Sequence, residues 1–146
     1  MAVDQPITHE SNSVRTHLEI VQGIIQRMAE NSRSCKVWCV TLVSAILVLV
    51  ARTGKAEHAM IALAPTVLFL VLDAYYLSLE GAFRKSYDTF VAKIHDGQAS
   101  TSDLFAIAPI GSIARGLFEA MFRSFSLLPF YLMVLVTVLL AWRLVL

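Results

Sequence analysis

Three long apolar stretches constrain this chain more than any other feature: Val37–Ala51, Ala59–Leu79 and Ser124–Trp142. Lys36 and Arg52 bound the first, His58 and Glu80 the second, Arg123 and Arg143 the third. A helix that crosses a bilayer needs about 20 apolar residues, with a lower limit near 17. The second and third stretches meet that requirement. The first meets it when Lys36 and Arg52 snorkel toward the two surfaces. Only 16% of the 146 residues are charged, against about a quarter in a soluble domain. A soluble bundle of this size has too little polar surface elsewhere to cover three helices that are apolar all round. The expected fold class is an all-α membrane protein with three transmembrane helices, over 37–51, 59–79 and 124–146.

Orientation follows from the basic residues. Arg15, Arg27, Arg33 and Lys36 precede the first span, and Arg84, Lys85, Lys93, Arg115 and Arg123 lie between the second and third. These segments share one side, whereas the other side holds only Arg52, Lys55 and Arg143. The N-terminus is expected in the cytoplasm and the C-terminus on the periplasmic or extracellular side. Residues 1–35 hold no apolar core of signal-peptide length, because Asp4, Glu10, Glu19 and Glu30 interrupt them. The second residue is Ala2 and no cysteine lies near the C-terminus, so no lipidation motif is expected. Cys35 and Cys39 share a helix face at i, i+4 spacing, where a relaxed disulfide is hard to close. They read as small buried hydrophobes.

The first two spans extend beyond the membrane. Residues 1–12 read as a flexible tail, and a helix then starts near Asn12 or Ser13, or at Thr16, which has capping-box spacing to Glu19. Val14, Leu18, Val21, Ile25 and Met28 follow at heptad intervals. Nothing between Met28 and Val37 breaks a helix. After the second span the same spacing recurs in Phe83, Tyr87, Phe90 and Ile94, and Gly97 suits a C-cap. The short turn Arg52–His58 makes the two helices antiparallel. Residues 13–97 are thus expected to form a long hairpin with a cytoplasmic helical stalk.

If Ala51 faces Ala59, facing residue numbers sum to about 110. That register sets Lys36 beside Asp73 or Ala74, as a structural ion pair at the inner interface. Trp38, Tyr75 and Tyr76 form an aromatic belt at the same level. In the stalk it sets Gly23 level with Tyr87 and Ile20 with Phe90, with Gly23 leaving room for the Tyr87 ring.

Residues 98–123 are expected to form a cytoplasmic loop and an interfacial amphipathic helix. The loop contains a short turn from Ser102 and ends at Pro109 and Gly111. Ser112 can cap a helix whose polar face carries Arg115, Glu119 and Arg123, with Phe118, Met121, Phe122 and Phe125 over the rest. Arg84 and Lys85 are candidates for contact with lipid head groups. Thr41, Ser44 and Ala45 give the first span a small, partly polar stripe suited to helix packing or to a narrow aqueous path.

No enzyme signature is present: there is no Gly-rich phosphate loop, GxSxG or HExxH, and His9, His17, His58 and His95 are scattered over loops and polar faces. No catalytic residue, metal site or cofactor is expected. No basic stripe with interleaved aromatics points to nucleic acid.

The runs IIQRMAENSRSCKVWCVTLVSAIL (24–47) and APTVLFLVLDAYYLSLEGAFRKSYD (64–88) resemble a group of small, uncharacterised bacterial three-span inner-membrane proteins. These share the pattern RMAxNSxxxKxWxVTLV and LDAYYLxxExxFRxxY. The likeness covers about residues 18–96, and FRSFSLLPFY (122–131) suits their last span. More loosely, the chain is similar to short membrane effectors of antiphage systems. That similarity implies a homo-oligomer that perforates the membrane under control of a cytosolic protein partner. Two alternatives stand beside it: a membrane anchor or accessory subunit of a larger complex, and a small transporter using Asp73.

Overall fold

The computed structural model describes residues 11–145, all-helical in architecture with no strand among the described residues. The expected flexible tail therefore lies almost wholly outside the described residues. Helix α1 runs unbroken from Asn12 to Thr53, 42 residues. At 1.5 Å per residue that is about 63 Å, roughly twice the thickness of a bilayer's hydrocarbon core. Gly54 ends the helix with φ 65°, and its N–H is bonded to the Val50 carbonyl. This left-handed cap is cheap only for glycine.

The chain then returns. Ala56–Ala62 is a 3-10 helix, followed by α2, Leu63–His95. An α-helical start at Ala59 does not occur, and Pro65 supplies the reason. It has no N–H to give the Ile61 carbonyl, and its ring crowds that oxygen, so α winding stops at the first turn of α2. At the far end Gly97 (φ 67°) makes the expected cap. Its N–H meets the Ile94 carbonyl, and the Gln98 N–H meets that of Lys93, which is a Schellman arrangement.

α1 and α2 pack antiparallel along the heptad seam. Val14, Val21 and Phe90 are buried, while Leu18, Ile25, Met28, Phe83 and Tyr87 are half-buried. The α1 seam continues at the same 4-3 spacing through Ser32, Cys35 and Cys39, all buried, and both cysteines are free. Gln22 Nε2 donates to the Tyr87 hydroxyl at 3.1 Å, and His17 stacks on Phe90 at 4.2 Å between ring centroids. Facing numbers thus sum to 107–109, within one turn of the expected register. His17 rather than Ile20 meets Phe90.

Gly23 needs correcting. It is exposed, and a Cβ placed there would meet nothing within 4 Å. The Tyr87 ring leans to the Gln22 side instead, so Gly23 makes no room for it. Gly23→Ala is expected to stabilise α1 by about 1 kcal/mol, the cost of glycine in a helix interior. Thermal unfolding of the two proteins in the same detergent checks this, and a loss of stability would contradict it.

Beyond α2 a short 3-10 turn, Thr101–Asp103, is closed by a reciprocal Ser100–Asp103 capping box. The chain then runs back along α2. The Ile110 N–H is bonded to the Ala82 carbonyl, and Ser78 Oγ donates to the Ile113 carbonyl at 2.9 Å. Helix α3, Ile113–Arg123, is capped by Ser112 and packs antiparallel on α2. A Cβ at Gly116 would run into the Ser78 side chain, so glycine sets this approach. The segment read as an interfacial amphipathic helix is α3. It is docked on α2 because Leu117, Ala120 and Met121 join the central apolar cluster, while Phe118, Phe122 and Phe125 stay exposed.

After a turn, α4 (Leu128–Val145) returns along the hairpin. Leu127, Tyr131, Val134 and Val138, spaced by three or four residues, pack against Cys39, Val43, Ala62 and Ala74. By length and composition two helical runs, Asn12–Thr53 and Ala56–His95, can cross a membrane, and α4 is a shorter apolar helix. Their apolar side chains largely face outward, among them Val37, Trp38, Val48, Leu49, Ile61 and Leu68.

Candidate functional site

Asp73 is the one acid inside the apolar stretches, and the fold encloses it completely. Moving a bare carboxylate into such surroundings costs several kcal/mol, so its charge must be matched locally. The match comes from two helices. On α1, Lys36 Nζ lies 2.6 Å from Oδ2, and Ser32 Oγ donates to Oδ1 at 2.5 Å. Lys36 also donates to Ser32 Oγ at 3.3 Å, tying the two α1 donors together at i, i+4. On α4, the Tyr131 hydroxyl lies 3.0 Å from the Phe69 carbonyl and 3.2 Å from Asp73 Oδ2. No buried side-chain polar atom among the described residues lacks a partner.

Each donor is placed by local sequence. Ser32 sits four residues after Met28 and three before Cys35, so it occupies the seam facing α2. Lys36 follows one turn later, half-buried, with an aliphatic stem suited to the apolar surroundings. Tyr131 is one turn into α4, past Pro129, which is tolerated in the first turn. The arrangement can lock α1, α2 and α4 in one register. A fully enclosed carboxylate with both oxygens engaged has no open position for an ion.

The sequence paired Lys36 with Asp73, and the fold brings them together. It gave no place to Ser32 or Tyr131. Ser32 could have been found by continuing the heptad past Met28, but nothing local fixes how α4 meets the hairpin. Around the centre, Trp38 and Tyr75 are exposed, at 59% and 40%, and Tyr76 is half-buried. The two tyrosine rings pack edge to face at 5.8 Å.

The head-group candidates Arg84 and Lys85 part company. Arg84 lies on the α1 side, where its Nε and Nη2 both donate to Glu80 Oε1, at 2.9 and 2.7 Å. The i, i+4 spacing pairs it on its own helix, with its side chain still 62% exposed. Lys85 lies on the α3 side, in a cleft it shares with Arg115.

A second polar centre closes the stalk. His17, read as lying on a polar face, is buried, because α1 turns it toward Phe90 and the returning loop. Its Nδ1 accepts the Phe105 N–H at 2.9 Å, and Phe105 has φ 62°. Nearby Lys93 Nζ lies 2.6 Å from Asp103 Oδ1. Burial lowers the His17 pKa from its ordinary value, with Asp103 opposing in part. The Lys93 hydrogen bond holds the Asp103 carboxyl below its usual range.

Compared with protein-family models, curated proteins and solved structures, the chain shows no match.

Proposed function

We propose that this protein is a three-span bacterial inner-membrane protein, N-terminus cytoplasmic and C-terminus periplasmic or extracellular. It assembles with copies of itself and permeabilises the membrane without catalysis. The observation that carries this reading is the outward face of α1 beyond Lys36. There Thr41, Ser44 and Ala45 are exposed beside Val37 and Val48, with Ser44 at the edge of a groove shared with Phe130, Met133 and Thr137 of α4. Thr41 bonds back to the Val37 carbonyl at 2.9 Å, and small residues on a span let a neighbouring helix approach closely.

Dimensions support the membrane part of the reading. Lys36 to Thr53 rises about 26 Å along α1. The 3-10 segment at 2.0 Å per residue and α2 up to Asp73 together rise about 30 Å. α4 rises about 27 Å, and all three lengths suit a hydrocarbon core of about 30 Å. The cytoplasmic halves of α1 and α2 then form a stalk open to a cytosolic protein that controls assembly, a role consistent with antiphage defence. Transport through Asp73 fits less well, since neither water nor a substrate reaches an enclosed carboxylate.

Expression in bacteria with a voltage-sensitive dye, together with the mass of the detergent-solubilised particle, tests the proposal. An oligomer and loss of membrane potential are expected. A monomer that never depolarises cells would overturn it.

A further inference from the structure

We propose that residues 98–112, which return along the stalk, form an autoinhibitory strap whose release permits assembly. The inference rests on the reading above and supplies its regulation. Among the described residues Phe105 is the one non-glycine with positive φ, at 62°. A bulky side chain is an outlier there, and such strain persists only where surrounding contacts impose it. The Phe105 N–H donates to His17 Nδ1 of α1 at 2.9 Å, two residues past the Lys93–Asp103 ion pair to α2. Asp103 also accepts the Ser100 N–H at 3.1 Å, so one carboxylate shapes the turn and ties it to α2. The strap thus bridges both stalk helices through a strained residue. Once a bond breaks, Phe105 can relax to negative φ, so the strain favours release.

The strap's hold on the stalk is polar and shallow. Of residues 98–112 only Ala99 is buried, and Phe105 and Ile110 are 56% and 43% exposed. A space of about 100 Å³ remains beneath, lined by His17, Thr89, Phe90, Asp103 and Ile110 among others. Segments with few buried apolar contacts open locally at low cost, while a packed seam such as that of α1 and α2 stays closed. The Ile110 N–H meets the Ala82 carbonyl, nine residues or about 14 Å along α2 past Asp73. That depth lies beyond the head groups, so the strap opens into the cytosol rather than into lipid. Under it His17 and Phe90 are only 3% and 6% exposed. The closed strap keeps this end of the seam covered, and release bares it to neighbouring copies.

Two variants with opposite expected effects test this, by hydrogen exchange of the detergent-solubilised protein and by depolarisation of expressing cells. Glycine adopts φ 62° without the side-chain clash, so Phe105→Gly should seat the strap more firmly and raise protection of the Ile110 amide about fivefold. Asp103→Ala removes the ion pair and the cap of the turn, and should lower that protection about tenfold. The Val21 and Phe83 amides, in the packed seam, should change in neither variant. At equal protein level Asp103→Ala should depolarise cells several-fold more than the unaltered protein, and Phe105→Gly several-fold less. Opposite shifts in protection with equal depolarisation by all three proteins would overturn the inhibitory role and leave the permeabilising reading standing. Depolarisation by none of the three would overturn both. Loss of protection at Val21 together with Ile110 in Asp103→Ala would show that strap and seam open as one and also overturn the proposal, as would a fall at Ile110 in both variants.

Discussion

Lys36→Met is expected to lower the stability of the detergent-solubilised protein by about 3–5 kcal/mol, the cost of leaving a buried charge without its partner. Asp73 is completely enclosed, and its remaining donors, Ser32 and Tyr131, are neutral hydroxyls. Asp73→Asn should cost less, about 1–3 kcal/mol. It keeps the shape and the acceptor toward Tyr131, and the Lys36 side chain, 19% exposed, can turn its charge to the surface. Lys36→Met/Asp73→Leu should recover most of the loss, since a buried ion pair replaced by apolar groups of similar volume is often neutral. Thermal unfolding of the four proteins in one detergent decides the matter. Strong coupling between the two positions identifies a structural pair. If Asp73→Asn left stability unchanged and yet abolished membrane depolarisation, the carboxylate would instead be the working group.

The hairpin was legible in the sequence because two independent signals agreed. The 4-3 spacing of Val14 to Met28 and of Phe83 to Ile94 chose the facing sides, and the short turn after Arg52 chose their level. A lone acid and a lone lysine at matching heights then had to meet, because neither can be left unpaired near hydrocarbon. The rest depended on segments whose register nothing local sets. Residues 98–112 are a long connection held to α2 by bonds such as Ile110 to Ala82. Backbone hydrogen bonds of that kind leave no side-chain pattern to read. The docking of α3 therefore stayed hidden, and with it the Arg115–Lys85 cleft. Tyr131 is similar: among Phe130, Leu132 and Met133 it reads as one more apolar ring until α4 is placed. His17 misled for another reason. The seam was drawn through Leu18, but a helix turns 100° per residue, so both positions border the buried face, and the loop covers the His17 side.

That burial gives the stalk a pH dependence whose sign follows from the hydrogen bond. Nδ1 of His17 accepts the Phe105 N–H, so the ring is neutral, with its proton on Nε2. Protonation would turn Nδ1 into a donor facing another donor. Burial lowers the native pKa of His17 below 6.5, and Asp103, the charged group of the returning loop with Lys93 beside it, offsets this only in part. Above about pH 6.5 neither the native nor the unfolded state carries the proton, and the full stabilisation is present. As pH falls through the lowered native value the stabilisation is lost, because the unfolded chain binds a proton first. The Lys93–Asp103 pair behaves at a different pH. Its carboxyl is held below the ordinary 3.8, so its contribution persists through pH 5 and disappears only in stronger acid. Hydrogen exchange at the Phe105 amide between pH 7.5 and 5, corrected for the intrinsic exchange rate, should therefore show protection falling below about pH 6.5 while the Lys93–Asp103 clamp is still closed. His17→Gln removes the titrating group, so the fall should vanish in that variant whatever its absolute protection. Constant protection down to pH 5, or the same fall in His17→Gln, would show that this bond does not govern the loop.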